Sequence, residues 1–146
     1  LTQTQGLDPT IKAGIESDLR NYRKWRARLQ TVQVELDAIA EQVGSHKAEV
    51  SQRSRRASNP TLRAVLRREQ LAREAKELEL RCQRVRAALM AMTPEQRRLV
   101  GMYYIAGASR AEVEEALSIS RAQFWRIRDA AFETYAYVAG LLKRTA

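Results

Sequence analysis

Arg121, Ala122, Trp125 and Arg126 stand at spacings that bring them onto one face of an α-helix, with Asp129 one turn further on. An arginine presents a planar fork of N–H donors that matches the acceptor edge of guanine or a phosphate group, and Ala and Trp offer apolar surface to a thymine methyl. The chemistry implied is recognition rather than bond making. Catalysis has no comparable support, because there is no Gly-rich phosphate loop, no nucleophile with a credible base and no carboxylate pair isolated on an apolar face. No enzymatic activity and no cofactor are expected.

Metal chemistry is expected to be absent as well. The chain has 1 Cys and 1 His, too few for a tetrahedral zinc set unless subunits share it. Cys82 falls on an apolar seam where a small residue suffices, and His46 lies in a polar stretch without an acidic or thiol partner. Among Glu112, Glu114 and Glu115, the first has a capping role and the others suit a solvated face.

The elements that must position the arginine face are helical. Gly and Pro number only 6 and 3 in 146 residues, and strand-favouring residues nowhere alternate over a useful length. Hydrophobic residues at 45% and charged residues at 29% are the balance of a folding chain. The fold class expected is all-α: a long antiparallel helical hairpin over residues 1–92, followed by three short helices over 93–146.

Asp8 and Pro9 read as a helix N-cap and first-turn proline, as do Asn59 and Pro60. From the first start, Tyr22, Trp25, Leu29, Val32, Leu36, Ile39 and Val43 recur at steps of three and four; from the second, Leu71, Ala75, Leu78, Cys82, Val85, Leu89 and Met92 do the same. Neither stripe can be buried alone, so the two helices pair within one chain, or hairpins pair as a dimer. Small Ala75 and Cys82 suit packing against bulky Tyr22 and Trp25. Gly44 to Asn59, polar and rich in Ser and Arg, reads as the connecting loop.

Each short helix is introduced by a hydroxyl residue with Gln or Glu three positions later: Thr93 with Gln96, Ser109 with Glu112, Ser120 with Gln123. The helices expected are Pro94 to Ile105, Arg110 to Leu117 and Arg121 to Leu142, with only Ser118 to Ser120 between the last two. That tight join outlines a helix-turn-helix. Val113, Leu117, Ile119, Phe124 and Ile127 would face inward, and Leu99, Val100 and Tyr103 would supply a third wall. A plain three-helix bundle would use the same apolar positions. Trp125 either joins the exposed face or packs on the hairpin or a second subunit.

Tyr103, Gly107, Ser109 to Val113 and Leu117-Ser118-Ile119-Ser120-Arg121, followed by Phe124, Arg126 and Arg128, resemble the pattern of the phage and prophage late-gene regulators named ArpU and RinA. The C-terminal part of that family is in turn similar to region 4 of bacterial sigma factors. The resemblance covers about Leu89 to Leu142 and departs from the pattern at Glu114, where a small residue is usual, and at Ser118, where Gly is common. It implies a cytoplasmic, sequence-specific DNA-binding transcriptional regulator of late promoters, with the helix from Arg121 in the major groove and RNA polymerase as a further partner. Carried over, Arg121, Ala122, Trp125 and Arg126 are the DNA-facing positions, and Arg128, Ser109, Arg110 and Ser120 join them as expected DNA contacts.

Lys and Arg total 26 against 17 Asp and Glu, a formal charge of +9 that favours an anionic partner. Most of that excess lies outside the arginine face, since residues 93–146 hold 8 basic and 6 acidic residues, leaving +7 on residues 1–92. Its clusters are Arg20, Arg23, Lys24, Arg26 and Arg28, then Arg53, Arg55, Arg56, Arg63, Arg67 and Arg68. They either make phosphate contacts of any sequence or are solvated flanks. No apolar run approaches the roughly 18 residues of a membrane span, and Leu1 to Gly6 is polar, so neither a membrane nor an export signal is expected. A homodimer or higher homo-oligomer would let two modules read paired half-sites. Two rival readings stand beside this one: a phage DNA-packaging oligomer like a small terminase subunit, and an adaptor that binds RNA polymerase without reading bases.

Overall fold

The computed structural model describes residues 6–49 and 58–142. The protein is all-α, with no strand among the described residues. Two long helices, α1 (Pro9–Glu49) and α2 (Ser58–Ala91), precede α3 (Pro94–Val100), a π-helical turn (Gly101–Ile105), α4 (Arg110–Leu117) and α5 (Arg121–Val138). No described helix is long and apolar enough to cross a membrane.

α1 starts where its cap requires: the Asp8 carboxylate accepts from the Thr10 N–H at 2.8 Å and the Asp8 carbonyl from the Lys12 N–H at 3.0 Å. It then continues through Gly44 to Glu49 instead of stopping at the glycine, and α2 already includes Ser58 and Asn59. The expected loop over 44–59 is thus helical at both ends. A glycine inside a helix costs only about 1 kcal/mol, too little to end one that long. Residues 50–57, including Arg53, Arg55 and Arg56, and the side chain of His46 lie outside what is described.

Compactness divides the chain into one unit of residues 25–80 and another of residues 1–24 with 81–146. This differs from a boundary at 92/93, because each long helix contributes to both units. In the 25–80 unit, Val32, Leu71 and Leu78 form a buried cluster flanked by Trp25, Leu29, Leu36, Ile39 and Ala75, so both heptad stripes meet in one chain. Arg28 donates to Glu74 at 2.7 and 2.9 Å, and Arg67 donates to Glu35 at 3.3 Å. Seven residues forward on α1 match seven backward on α2, so these stretches run antiparallel. The Arg28 guanidinium holds the Glu74 carboxyl below its ordinary range by hydrogen bonding to it.

In the other unit, Ile15, Leu19 and Tyr22 of α1 and Cys82, Val85 and Ala88 of α2 are buried, as are Met92 just past the end of α2, Leu99, Val100, Tyr104, Val113 and the inner stripe of α5. That stripe, Phe124, Ala131, Phe132, Tyr135 and Ala136, has the seven- and four-residue spacing of one helix face. The carbonyls at the end of α2 are met by a side chain: Arg97 Nε donates to the Leu89 carbonyl at 2.9 Å and Arg97 Nη2 to the Met92 carbonyl at 3.1 Å.

α5 ends at Val138, four residues before the expected Leu142. Gly140 takes φ +71°, which lets the Leu141 N–H reach the Ala136 carbonyl at 2.8 Å and the Gly140 N–H reach Tyr137 at 3.2 Å, a Schellman stop.

Candidate nucleic-acid interface

All three reciprocal caps form. Thr93, Ser109 and Ser120 accept from the backbone N–H three residues on, and Gln96, Glu112 and Gln123 return a side-chain bond to the cap N–H. At α5 these bonds are 3.1 and 2.8 Å. They orient the helix from its first residue. The N–H groups of Arg121 and Ala122, which no helical carbonyl can reach, point out of the start of α5. At α4 the Ser109 N–H and hydroxyl hold the Glu112 carboxyl below its ordinary range.

The join between α4 and α5 is made by Ser118 in the left-handed conformation, φ 54° and ψ 49°. Its conformation brings the Ile119 N–H to the Glu114 carbonyl at 3.0 Å and the Ser118 N–H to Glu115 at 3.3 Å. A residue other than Gly therefore supports the same turn that a glycine would, at a cost in strain. Val113 and Phe124 are fully buried on the two sides of the join, while Leu117, Ile119 and Ile127 are half-buried.

Glu114, the other departure from the expected pattern, is accommodated by a neighbour. Arg110 Nη1 donates to Glu114 Oε2 at 2.8 Å, and both side chains are partly covered, at 32% and 21% exposure. The i,i+4 spacing of this pair is visible in the sequence. It commits Arg110, expected to contact DNA, to an intrachain ion pair.

On α5 the expected residues separate into two groups. Arg121, Ala122 and Arg126 are exposed, and neither arginine has a hydrogen bond or ion pair among the described residues. Trp125 is half-buried, its ring edge-to-face with Phe124 at 4.9 Å and 85°. Arg128 is drawn inward: its side chain is 15% exposed, with Nε and Nη2 donating to Asp129 Oδ1 at 3.0 and 2.7 Å. Arg128 lies four residues from Phe124 and four from Phe132, on the buried stripe, a continuation the Phe124 and Ile127 spacing alone did not disclose.

The third wall is Leu99 and Val100 of α3, both fully buried as expected, continued by the π-helical turn. Ala106 N–H bonds the Gly101 carbonyl at 2.8 Å, a wider step than the α-helical one, and Gly107 at φ +82° then turns the chain toward α4. Tyr104, not Tyr103, is the buried tyrosine; Tyr103 is half-buried and meets Phe124 edge-on at 5.1 Å. Burial pushes the Tyr104 hydroxyl up to about 12, with Arg128 opposing. Arg20 of α1 lies over the same rings, 5.0 Å from Tyr104 and 5.8 Å from Tyr103.

Other basic residues divide likewise. All six of Arg23, Lys24, Arg28, Arg63, Arg67 and Arg68 are exposed, and of these Arg28 and Arg67 are paired with acids among the described residues. Among the described residues no cluster of three or more His, Cys, Asp or Glu could hold a metal ion. Comparison of the chain with known protein families, curated proteins and solved structures finds no match.

Proposed function

We propose that this protein is a sequence-specific DNA-binding transcriptional regulator in which α4, the Ser118 turn and α5 act as a helix-turn-helix. The observation that carries the reading is the rigidly capped start of α5, from which Arg121, Ala122 and Arg126 project, the two arginines unpaired among the described residues. An α5 of 18 residues spans about 27 Å, so its first two turns can lie in a major groove while the rest is held in the core. Arg121 and Arg126 supply forks for guanine or phosphate, Ala122 and Trp125 meet thymine methyls, and the open N–H groups of the first turn take a phosphate oxygen. The hydroxyls of Ser109 and Ser120 are occupied as caps, which leaves their DNA contacts secondary to their structural role.

The late-gene part of this proposal, in a bacterial or phage-infected cytoplasm, rests on the resemblance of the motif residues from Tyr103 to Arg128 to the ArpU and RinA pattern, and through it to sigma region 4. The antiparallel stretches of α1 and α2 supply length for spacing or self-association, and the exposed Arg23, Lys24, Arg63 and Arg68 supply phosphate contacts without base preference.

Selection of bound duplexes from a random pool by the full chain tests this directly. Recovery of a defined sequence, protected over about one major-groove turn per module, is expected. Equal retention of every duplex by a ring of many subunits would instead favour DNA packaging. Retention of none, with capture by purified RNA polymerase, would favour an adaptor.

A further inference from the structure

We infer that Arg128 is a positioning residue, not a DNA contact: its guanidinium holds the Trp125 ring on the outer edge of α5 and neutralises Asp129 beside it. This rests on the DNA-binding reading of α5 given above. The guanidinium has five N–H donors, and its surroundings engage them from several sides. Two bonds go to one Asp129 oxygen at 3.0 and 2.7 Å, and Nη1 lies 3.5 Å from the Tyr104 hydroxyl. The carbon at the centre of the cation is 4.7 Å from the Trp125 ring centre and 4.9 Å from that of Phe132.

Reaching a phosphate would require Arg128 to give up these charge-assisted bonds and uncover Phe132, which is fully buried. The same contacts explain what Arg128 does in place. Trp125 is met edge-to-face by Phe124 at 4.9 Å and by the Arg128 cation at 4.7 Å, so its side chain is restrained before any ligand arrives. A ring already ordered loses less freedom on meeting a base than a mobile one. Asp129, paired with Arg128, no longer repels the DNA backbone as an isolated carboxylate would.

The test uses the full chain with Trp25→Phe, which leaves Trp125 as its one tryptophan, and compares Arg128→Met and Arg128→Lys. Acrylamide quenching of Trp125 without DNA should increase in both, because neither side chain reproduces the planar stacked cation. Preference for the duplex enriched from a random pool over a scrambled duplex should fall about tenfold in both, with scrambled-duplex affinity and the salt slope unchanged. Unchanged quenching would overturn the inference. So would an equal loss on both duplexes with a salt slope reduced by about 0.9 in Arg128→Met and restored in Arg128→Lys, the pattern of a phosphate contact. If the parent chain prefers neither duplex, the DNA-binding reading fails, while the quenching result still decides whether Arg128 holds Trp125.

Discussion

The Tyr135 hydroxyl donates to Asp18 Oδ2 at 2.8 Å, joining the end of α5 to the beginning of α1 across 117 residues of sequence. Tyr135 is fully buried, so the bond is made by a phenol that has given up water, and burial accordingly pushes its ionisation up. Asp18 is half-buried and has its charge met by that donor. The relationship ties the helix carrying the candidate interface to the scaffold by one charge-assisted bond inside an apolar face.

Tyr135→Phe keeps the ring and removes only this bond, so urea unfolding should show a loss of about 1.5 to 3 kcal/mol. A double-mutant cycle with Asp18→Ala, which removes the acceptor, should recover a coupling of about 1 kcal/mol or more. Additive losses would mean that the bond contributes nothing of its own.

Backbone strain at the two turns gives predictions of opposite sign. Ser118 occupies a left-handed conformation at φ 54°, so Ser118→Gly should raise stability by about 0.5 to 1 kcal/mol without altering the join. Gly107 is at φ +82° with open space where a Cβ would stand, so Gly107→Ala should lose about 1 kcal/mol from conformation alone. Thermal unfolding of the two variants checks both, and a stabilised Gly107→Ala would contradict the described turn.

Stability should fall in alkali through the buried tyrosines. Tyr104 is pushed up to about 12 by burial, above the ordinary 10.0 it regains on unfolding. Below pH 10 both states hold the proton and the contribution is complete; between pH 10 and 12 the unfolded chain ionises first, and on the order of 2 to 3 kcal/mol is lost. Tyr104→Phe should flatten much of that decline. At the acid end Glu112 behaves in the opposite sense: its carboxyl is held below the ordinary 4.5 by the Ser109 N–H and hydroxyl, so its support of α4 is present above that pH and fades as pH falls through the lowered value. Glu112→Gln, which keeps the cap without a charge, should remove this dependence in pH-resolved hydrogen exchange at α4.

Arg126 is exposed and unpaired among the described residues, so Arg126→Ala should leave folding unchanged. Under the proposed function it should weaken binding to a selected duplex by about 1 to 3 kcal/mol and relax base preference at one position. Fluorescence anisotropy on selected and scrambled duplexes distinguishes this from a uniform loss, which would assign Arg126 to phosphate.

Features encoded by neighbours three or four residues apart are legible in the amino-acid sequence. The caps at Thr93, Ser109 and Ser120 each involve a hydroxyl and an amide or carboxylate within one turn, and the stripes containing Val32, Leu71 and Leu78 announce their buried faces by spacing alone. Other features depend on groups far apart in the chain, and packing settles them. Whether Arg128 is a solvated arginine or a desolvated one is set by Tyr104 and Phe132 as much as by its own turn, and no local pattern around Asp18 names Tyr135 as its partner. The division of α1 and α2 between two compact units, and the π-helical turn that buries Tyr104 in preference to Tyr103, likewise follow from packing. Helix propensity and capping are short-range free energies written residue by residue, whereas burial is a sum over whatever the fold brings together.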